Sequence, residues 1–453
     1  MNQSQFLEKF AYWFQPSVLT HLAREVGWLV RQGKIEAFEF FVGLVFGQMS
    51  ALKSTLNAQA GCYSEAVSRQ AIDQRYHQRA VDFFHRGFQQ CLQRSLEQSP
   101  QPSLTQDLVA HFDAVHLVDS SSFDCPESLD KIYPGCGGRA SSANCKILLR
   151  YEYLRGQFEP LALLPGKCPD SGLAEKLPPL LKANELLLND KGFFKIQTLE
   201  QIDQKKAFFL TPLHRSVSLF VLNGQGASVK LDLVDALRHA EQSVREWPKV
   251  LLGSQAGTLS VRVTAFRLSE ASAARYRAGM RRAHAKKGRT PTVAALELAG
   301  WLILITNAPV DKLPTKAMAY LYRLRWQIEL IFKQCKSVLR VNVTEAHKNE
   351  HRVQCEIWAR LISAVVLFAW HSHLQAACFA KQRREISFAQ VARALQQQGL
   401  IIAQLFIEQG RTLCDGLRRL WRHLLKTTVK GRQRSRKTSW ETLIENWLHF
   451  ARQ

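Results

Sequence analysis

Three acidic residues stand out by position. Asp119 closes the apolar run Val115–Val118 in the string HLVDSSSF, and Asp190 closes the apolar run Leu186–Leu188 in LLLNDKGF. Glu329 lies in the helix-patterned stretch YRLRWQIELIFKQCKS. A carboxylate at the end of a buried strand is set at the rim of a sheet, where sites commonly form. Two such ends on neighbouring strands offer hard oxygen ligands to divalent cations. A third carboxylate, from a helix packed on that sheet, completes a site for two Mg²⁺ ions, or Mn²⁺ in their place. Two metals roughly 4 Å apart activate an attacking oxygen and stabilise a leaving one in phosphodiester chemistry. Taken singly, each aspartate also reads as an ordinary turn former.

The helix around Glu329 makes the stronger case. At about 100° per residue, Tyr322, Arg325, Glu329 and Lys336 fall within roughly a 60° arc. The adjacent stripe holds Leu321, Leu324, Ile328, Ile331, Phe332, Cys335 and Leu339, an apolar face suited to packing on a sheet. The carboxylate is thus flanked along the axis by two cations. Tyr322 and Lys336 are about 21 Å apart at 1.5 Å per residue, enough to follow several phosphates of a DNA strand. A solvated helix with an i,i+4 Arg325–Glu329 pair accounts for that pair. It does not account for the tyrosine and the distal lysine in register.

The elements that must position these residues follow from periodicity and breakers. The first hundred residues are helical in pattern, through Phe6–Phe14 and Ala80–Leu92. Ser95–Thr105, with Pro100 and Pro102, breaks the pattern and reads as a linker. Strands follow at Val115–Val118, Lys146–Leu154 and, after a turn at Arg155-Gly156, Phe158–Leu164. A helix over Leu173–Leu181 must be kinked or interrupted by Pro178 and Pro179. Then come strand Leu186–Leu188, helix Phe193–Ile202 and strand Ala207–Leu210. The order β-β-β-α-β-α-β is a mixed α/β pattern. Residues from about 214 to 310 interrupt it, with strands at Val217–Leu222, Thr258–Phe266 and Trp301–Thr306 and a basic helix at Glu270–Lys287. The long helix runs from about Pro314 to Leu339, and the last hundred residues are again helical. The tract Arg418–Lys437 is densely basic and reads equally as a solvated face or a DNA contact.

Bulk composition narrows the partners. Lys+Arg number 61 against Asp+Glu 38 in 453 residues, a formal net charge of +23. A surplus spread over most of the chain points to a polyanion, and nucleic acid is the first reading. The ten cysteines form no CxxC pair and no zinc-finger spacing, and read as reduced, mostly buried thiols. Glu8 and Lys9 occupy the place of a secretory h-region. The apolar stretches Trp301–Ile305 and Ala364–Trp370 are far shorter than the roughly 20 residues a bilayer requires. A cytoplasmic protein is expected.

The spacing Tyr322-x2-Arg325-x3-Glu329-x6-Lys336 resembles, without departure, the YREK signature of bacterial insertion-sequence transposases of the IS-four type. Asp190-Lys191-Gly192-Phe193 resembles their second-aspartate motif, D-[RK]-G-[FY], and Asp119 followed by small residues resembles their first. The resemblance implies an α/β fold: a ribonuclease-H-like mixed-sheet core, interrupted by a β-containing insertion and flanked by helical domains. The expected domains are 1–105, helical and DNA-binding; 106–213 with 311–345, the split catalytic core; 214–310, the insertion; and 346–453, helical and basic.

The resemblance also implies a mechanism. Asp119 would bridge both metals, and Asp190 and Glu329 would each bind one. Water would free a 3′-hydroxyl at the element's end, and that hydroxyl would attack DNA in turn. Tyr322, Arg325 and Lys336 would hold the DNA backbone, joined by Lys191. Hairpin-forming relatives stack a flipped base on an aromatic of the insertion. Trp247, in REWPKV, is the candidate, with a core tryptophan as its plain alternative; Trp301 reads as core. Tyr63–Phe84 reads either as a helix-turn-helix, with Ser68, Gln70, Arg75 and Arg79 facing DNA, or as an ordinary bundle. Expected partners are double-stranded DNA, both terminal repeats and target, and a second copy of the chain. The rival readings are a ribonuclease-H-like nuclease that does not join strands and a DNA-binding regulator without catalysis.

Overall fold

The computed structural model describes residues 2–31, 33–50, 55–98, 111–137, 141–154, 157–224, 226–254, 259–322, 325, 329, 349–382 and 384–430. Lys336, the turn at 155–156 and the basic residues 431–437 lie outside these. Six helices lead: α1 (Gln3–Trp13), α2 (Pro16–Glu25), α3 (Ala37–Met49), α4 (Leu56–Ala60), α5 (Arg69–Asp73) and α6 (Gln78–Glu97). Then come β1 (Ala114–Asp124), β2 (Asn144–Glu152), β3 (Gln157–Pro165), β4 (Glu185–Asn189), α7 (Ile196–Gln204) and β5 (Phe208–Pro212). The insertion supplies β6 (Leu219–Leu222), β7 (Ser228–Lys230), β8 (Val244–Leu252), β9 (Ser260–Arg267), α8 (Glu270–Ala285) and β10 (Trp301–Thr306). Residues 315–322 are helical, as are Arg325 and Glu329. The chain closes with α9 (Glu350–Gln382), α10 (Phe388–Glu408) and α11 (Gly410–Thr427). Two differences from the sequence pattern have local causes. The expected helix over Leu173–Leu181 is one α-turn, Asp170–Leu173, and two 3₁₀ turns, Ala174–Lys176 and Pro178–Leu180. Pro178 and Pro179 lack the N–H groups an α-helix would use there. Strands β7 and β8 were not anticipated.

The described residues form two compact units. One takes those of 1–106, 120–168 and 329–436, the other those of 107–119 and 169–328. In the first unit the helices before residue 99 and after residue 349 share one core. Helix α1 starts in a capping box, Asn2 Oδ1 accepting from Gln5 N–H and Gln5 Oε1 from Asn2 N–H. Helix α3, AFEFFVGLVFGQM, is apolar all round and buried all round. The run Ala364–Trp370 lies within the 33 residues of α9. That helix is long and apolar enough to cross a bilayer by length and composition, yet 94% of its most apolar window is buried inside the fold. It is the central core helix. Ser363 Oγ donates to Val45 O at 2.8 Å, tying α9 to α3. Phe10 meets Trp370 edge-on at 5.4 Å, and Phe14 meets Phe406 at 5.1 Å. Helix α10 crosses α3 at Gly399, where a Cβ would stand 2.7 Å from Phe46 O and 2.9 Å from Ser50 Cα. The β2–β3 hairpin belongs to this unit, beside the second half of β1, where Cys125 N–H donates to Ala143 O at 3.0 Å. All described cysteines are free thiols, five of them buried.

In the second unit the strand order is β1-β4-β5-β10-β9-β8-β6-β7. Strands β1, β4 and β5 are parallel. Leu186, Leu187 and Leu188 are all buried, as expected of a parallel strand covered on both faces. Strand β10 runs antiparallel to both β5 and β9, with Ile305 opposite Thr211 and Val263. The sheet of the insertion is therefore continuous with that of the core. The order β3-β2-β1 in one unit and β1-β4-β5 in the other is that of a ribonuclease-H-like mixed α/β core.

Candidate active site

Asp119 and Asp190 are set side by side by register. Val118 pairs with Asn189 across the parallel β1 and β4, and each aspartate is the next residue. Neighbouring strands lie about 4.8 Å apart. Strand β4 stops at Asn189, but β1 continues to Asp124. Asp119 is thus in mid-strand, where burial gives way to partial exposure, rather than at a strand end as the apolar run suggests. The serines after it keep the extended backbone without supplying apolar burial. Asp190 precedes a 3₁₀ turn, Lys191–Phe193, but its side chain makes no capping bond to it. The turn-former reading does not account for that carboxylate.

The helix at 315–322 and Arg325 reaches both aspartates. Tyr322 Oη donates to Asp190 Oδ1 at 3.4 Å. Arg325 Nη1 lies 4.0 Å from Asp119 Oδ2, with side chains only 17% and 20% exposed, so the pair is largely shielded from water. The Arg325 guanidinium is 5.7 Å from the Tyr322 ring. Burial pushes the Tyr322 hydroxyl above the usual tyrosine range, against the pull of Arg325; it is a neutral donor at physiological pH. Glu329, four residues after Arg325 in the chain, is helical and half-buried. Among the described residues, no group of three Asp, Glu, His or Cys converges as a metal cluster. The paired aspartates are hard oxygen donors and fit Mg²⁺ or Mn²⁺ in kind.

Two features escaped the sequence reading. The first is Arg215, which joins Lys191 in a cationic flank beside Asp190. Burial, and after it Arg215, hold the Lys191 ammonium below the usual lysine range, with Asp190 opposing. Arg215 comes three residues after the end of β5, and that strand-end position was the available signal. The second is a polar clamp on the start of the helix. Arg262 on β9, 5% exposed, donates to Glu246 on β8 at 3.3 Å and to Leu313 O at 2.5 Å. Thr315 Oγ1 donates to Glu246 as well. The insertion sheet therefore fixes where the Tyr322–Arg325 helix begins.

The remaining expected residues are dispersed. Trp247 is half-buried on β8, opposite Val263 and next to a register shift. Trp301 is half-buried, its ring 4.8 Å from the Arg267 guanidinium. Tyr63–Phe84 holds the five-residue α5 and the start of α6. Ser68 Oγ caps α5 by accepting from Ala71 N–H. Gln70 is exposed. Arg75 lies 5.6 Å from the Trp28 ring, and Arg79 donates to Gly27 O at 2.9 Å, so both are engaged within the bundle. Of the basic tract, Arg418, Arg419, Arg422 and Lys426 lie on the exposed face of α11.

Residues 110–366, more than half of the chain, match the profile of the transposase DDE domain. The transposase for insertion sequence element IS231B of Bacillus thuringiensis subsp. berliner is 26% identical over 457 residues, covering 97% of this chain and 94% of its own. The transposase for IS1151 of Clostridium perfringens is 27% identical over 370 residues, covering 78% of this chain and 77% of its own. Among solved structures, the piggyBac transposase synaptic complex with hairpin DNA aligns over 93% of this chain and 85% of that one, at 11% identity and a TM-score of 0.42. The matched profile takes in β1, β4 and the helix that reaches their aspartates, on a ribonuclease-H-like sheet, and the chain belongs to the DDE transposases of bacterial insertion sequences.

Proposed function

We propose that this transposase cuts and rejoins the ends of its element through Asp119, Asp190 and Glu329, which hold two Mg²⁺ ions. The observation that carries the reading is the β1–β4 register, which makes the two aspartates neighbours, with Tyr322 3.4 Å from Asp190 and Arg325 4.0 Å from Asp119. Asp119, Asp190 and Glu329 would supply the oxygen ligands that hold the ions. When bound, the ions activate the attacking oxygen and stabilise the leaving one. Tyr322, Arg325 and Lys336 hold the DNA backbone in line, the first as a neutral donor and the others as cations. Lys191 adds positive charge next to Asp190. Trp247 is assigned to stacking on a flipped base.

The substrate is double-stranded DNA, first the terminal repeats and then the target. Residues 1–105, with Gln70 exposed on α5, are assigned to the repeats. Two copies of the chain pair the two ends in the cytoplasm. The test is Mg²⁺-dependent cleavage of DNA carrying the flanking repeats, comparing wild type with Glu329→Gln. Wild type should cut at the element's ends. The variant should bind those ends but cut about 10³-fold more slowly or less, because removing a metal ligand forfeits several kcal/mol of transition-state stabilisation. Cutting by Glu329→Gln at the wild-type rate would overturn the assignment.

A further inference from the structure

We infer that the outer face of α8 is a sequence-independent seat for the phosphate backbone of duplex DNA beside the cutting site. Residues 271–296 contain seven Arg or Lys and no Asp or Glu. Over its 16 residues α8 has one buried side chain, Ala273. At about 100° per residue, Arg275, Gly279, Arg282 and Lys286, the last being the residue that caps the helix, share roughly a 60° arc opposite Ala273. From Arg275 to Lys286 is about 16.5 Å along the axis. Among the described residues, Arg275 bonds only within its own helix, to Ala271 O at 3.3 Å and Ser272 Oγ at 3.5 Å. Among the described residues, no carboxylate lies within ion-pair distance of Arg275, Arg282 or Lys286. By contrast, Arg277, on the inner side, pairs with Glu270 at 2.8 Å and caps Leu296 O at 3.2 Å. Arg282 and Lys286 are like charges one turn apart, an arrangement that opposes a helix unless anions relieve it.

Two observations tie this face to DNA rather than to bulk solvent. Gly279 sits in the middle of the stripe with no atom within 4 Å of where a Cβ would be, so the backbone of α8 is open to close approach. On the flank of α8, Met280 Sδ receives Arg215 Nη1 at 3.4 Å. Arg215 follows the end of β5, which lies parallel beside β4 with Leu188 opposite Leu210, and Asp190 follows the end of β4. Within one unit, α8 is therefore joined through Arg215 to the sheet edge that carries Asp190. The interaction needs no base readout, because arginine and lysine heads on a helix face meet phosphates, which position without specifying. That the seat adjoins the cutting site rests on the catalytic reading of Asp190; the seat itself does not.

The test is a salt titration of DNA binding by full-length protein. Wild type, the triple variant Arg275→Gln/Arg282→Gln/Lys286→Gln, and Gly279→Glu are each titrated against a terminal-repeat duplex and an unrelated duplex. The slope of log Kd against log salt should fall by about 2.7 in the triple variant, at about 0.9 for each phosphate no longer neutralised, and equally on both duplexes. Gly279→Glu should weaken both duplexes without lowering the melting temperature, because glutamate is the better helix former and meets no atom there. An unchanged slope in the triple variant, or weakening confined to the terminal repeat, would overturn the seat. The catalytic reading fails separately: if Asp190→Asn cuts as well as wild type while the slope still falls, the seat stands and that reading does not.

Discussion

Replacing Arg325 with glutamine should tighten divalent-cation binding at Asp119 while slowing DNA cutting. The Arg325 guanidinium lies 4.0 Å from the Asp119 carboxylate, and neither side chain is more than 20% exposed. At an effective dielectric of about 20, unit charges 4 Å apart interact by about 4 kcal/mol. A cation must compete with that interaction for the same carboxylate, or endure the arginine's repulsion once bound. The arginine keeps part of the attraction by shifting aside, so only a fraction appears as lost affinity. A third of it, about 1.4 kcal/mol, is tenfold in Kd. The assay is a Mn²⁺ titration without DNA, read as the rise in melting temperature with free ion. Arg325→Gln should reach half-effect at about one-tenth of the wild-type concentration, and Asp119→Asn should show almost no effect. End cleavage by Arg325→Gln should nonetheless fall, because the cation proposed to hold the DNA backbone is gone. If Arg325→Gln binds Mn²⁺ no more tightly than wild type, then the arginine does not guard the carboxylate and the electrostatic reasoning fails.

Two further outcomes concern the helical core. Gly399→Ala should destabilise the fold, because its Cβ would meet backbone atoms of α3 at 2.7 and 2.9 Å. Overpacking of about 1–3 kcal/mol outweighs the roughly 1 kcal/mol that alanine adds to a helix. The same change at Gly279, with open space around it, should raise stability, so a melting-temperature comparison that fails to separate the two would refute the packing argument. Burial pushes His371 down to about 4, while its Nε2 lies 3.3 Å from Ile386 O. The unfolded chain takes up a proton near pH 6.5 that the folded chain refuses until about pH 4. Stability is therefore highest above pH 6.5 and declines as pH falls from 6.5 towards 4. His371→Gln should show a shallower decline of melting temperature over that window, and equal slopes would assign the acid sensitivity elsewhere.

Much of the site was legible because its signals are local. The string LLLND requires a buried strand with a carboxylate at its end, and β4 and Asp190 are that. The strand Trp301–Thr306 appears with the expected bounds, since six consecutive apolar or β-branched residues admit little else. The Tyr322–Arg325 stripe was readable from helical periodicity alone. Strand β8 was not. Its sequence VREWPKVLL carries charges and Pro248 where alternation would be sought, and several of its side chains are exposed. Only pairing with β9 makes it a strand.

Local composition and spacing determined the element types along most of this chain, the placement of acidic residues after apolar runs and the strong positive charge. Periodicity and charge act over a few residues, so a sequence displays them directly. Tertiary structure alone decided that Asp119 and Asp190 are neighbours through the Val118–Asn189 register, and that Arg325 faces Asp119. It also decided that β10 joins the insertion's sheet to β5, and that helices some 300 residues apart in the chain share one core, as at Ser363 and Val45. Those choices arise from burying apolar faces against partners distant in sequence. That term is non-directional and scales with area, so it leaves no mark on the spacing of either partner taken alone.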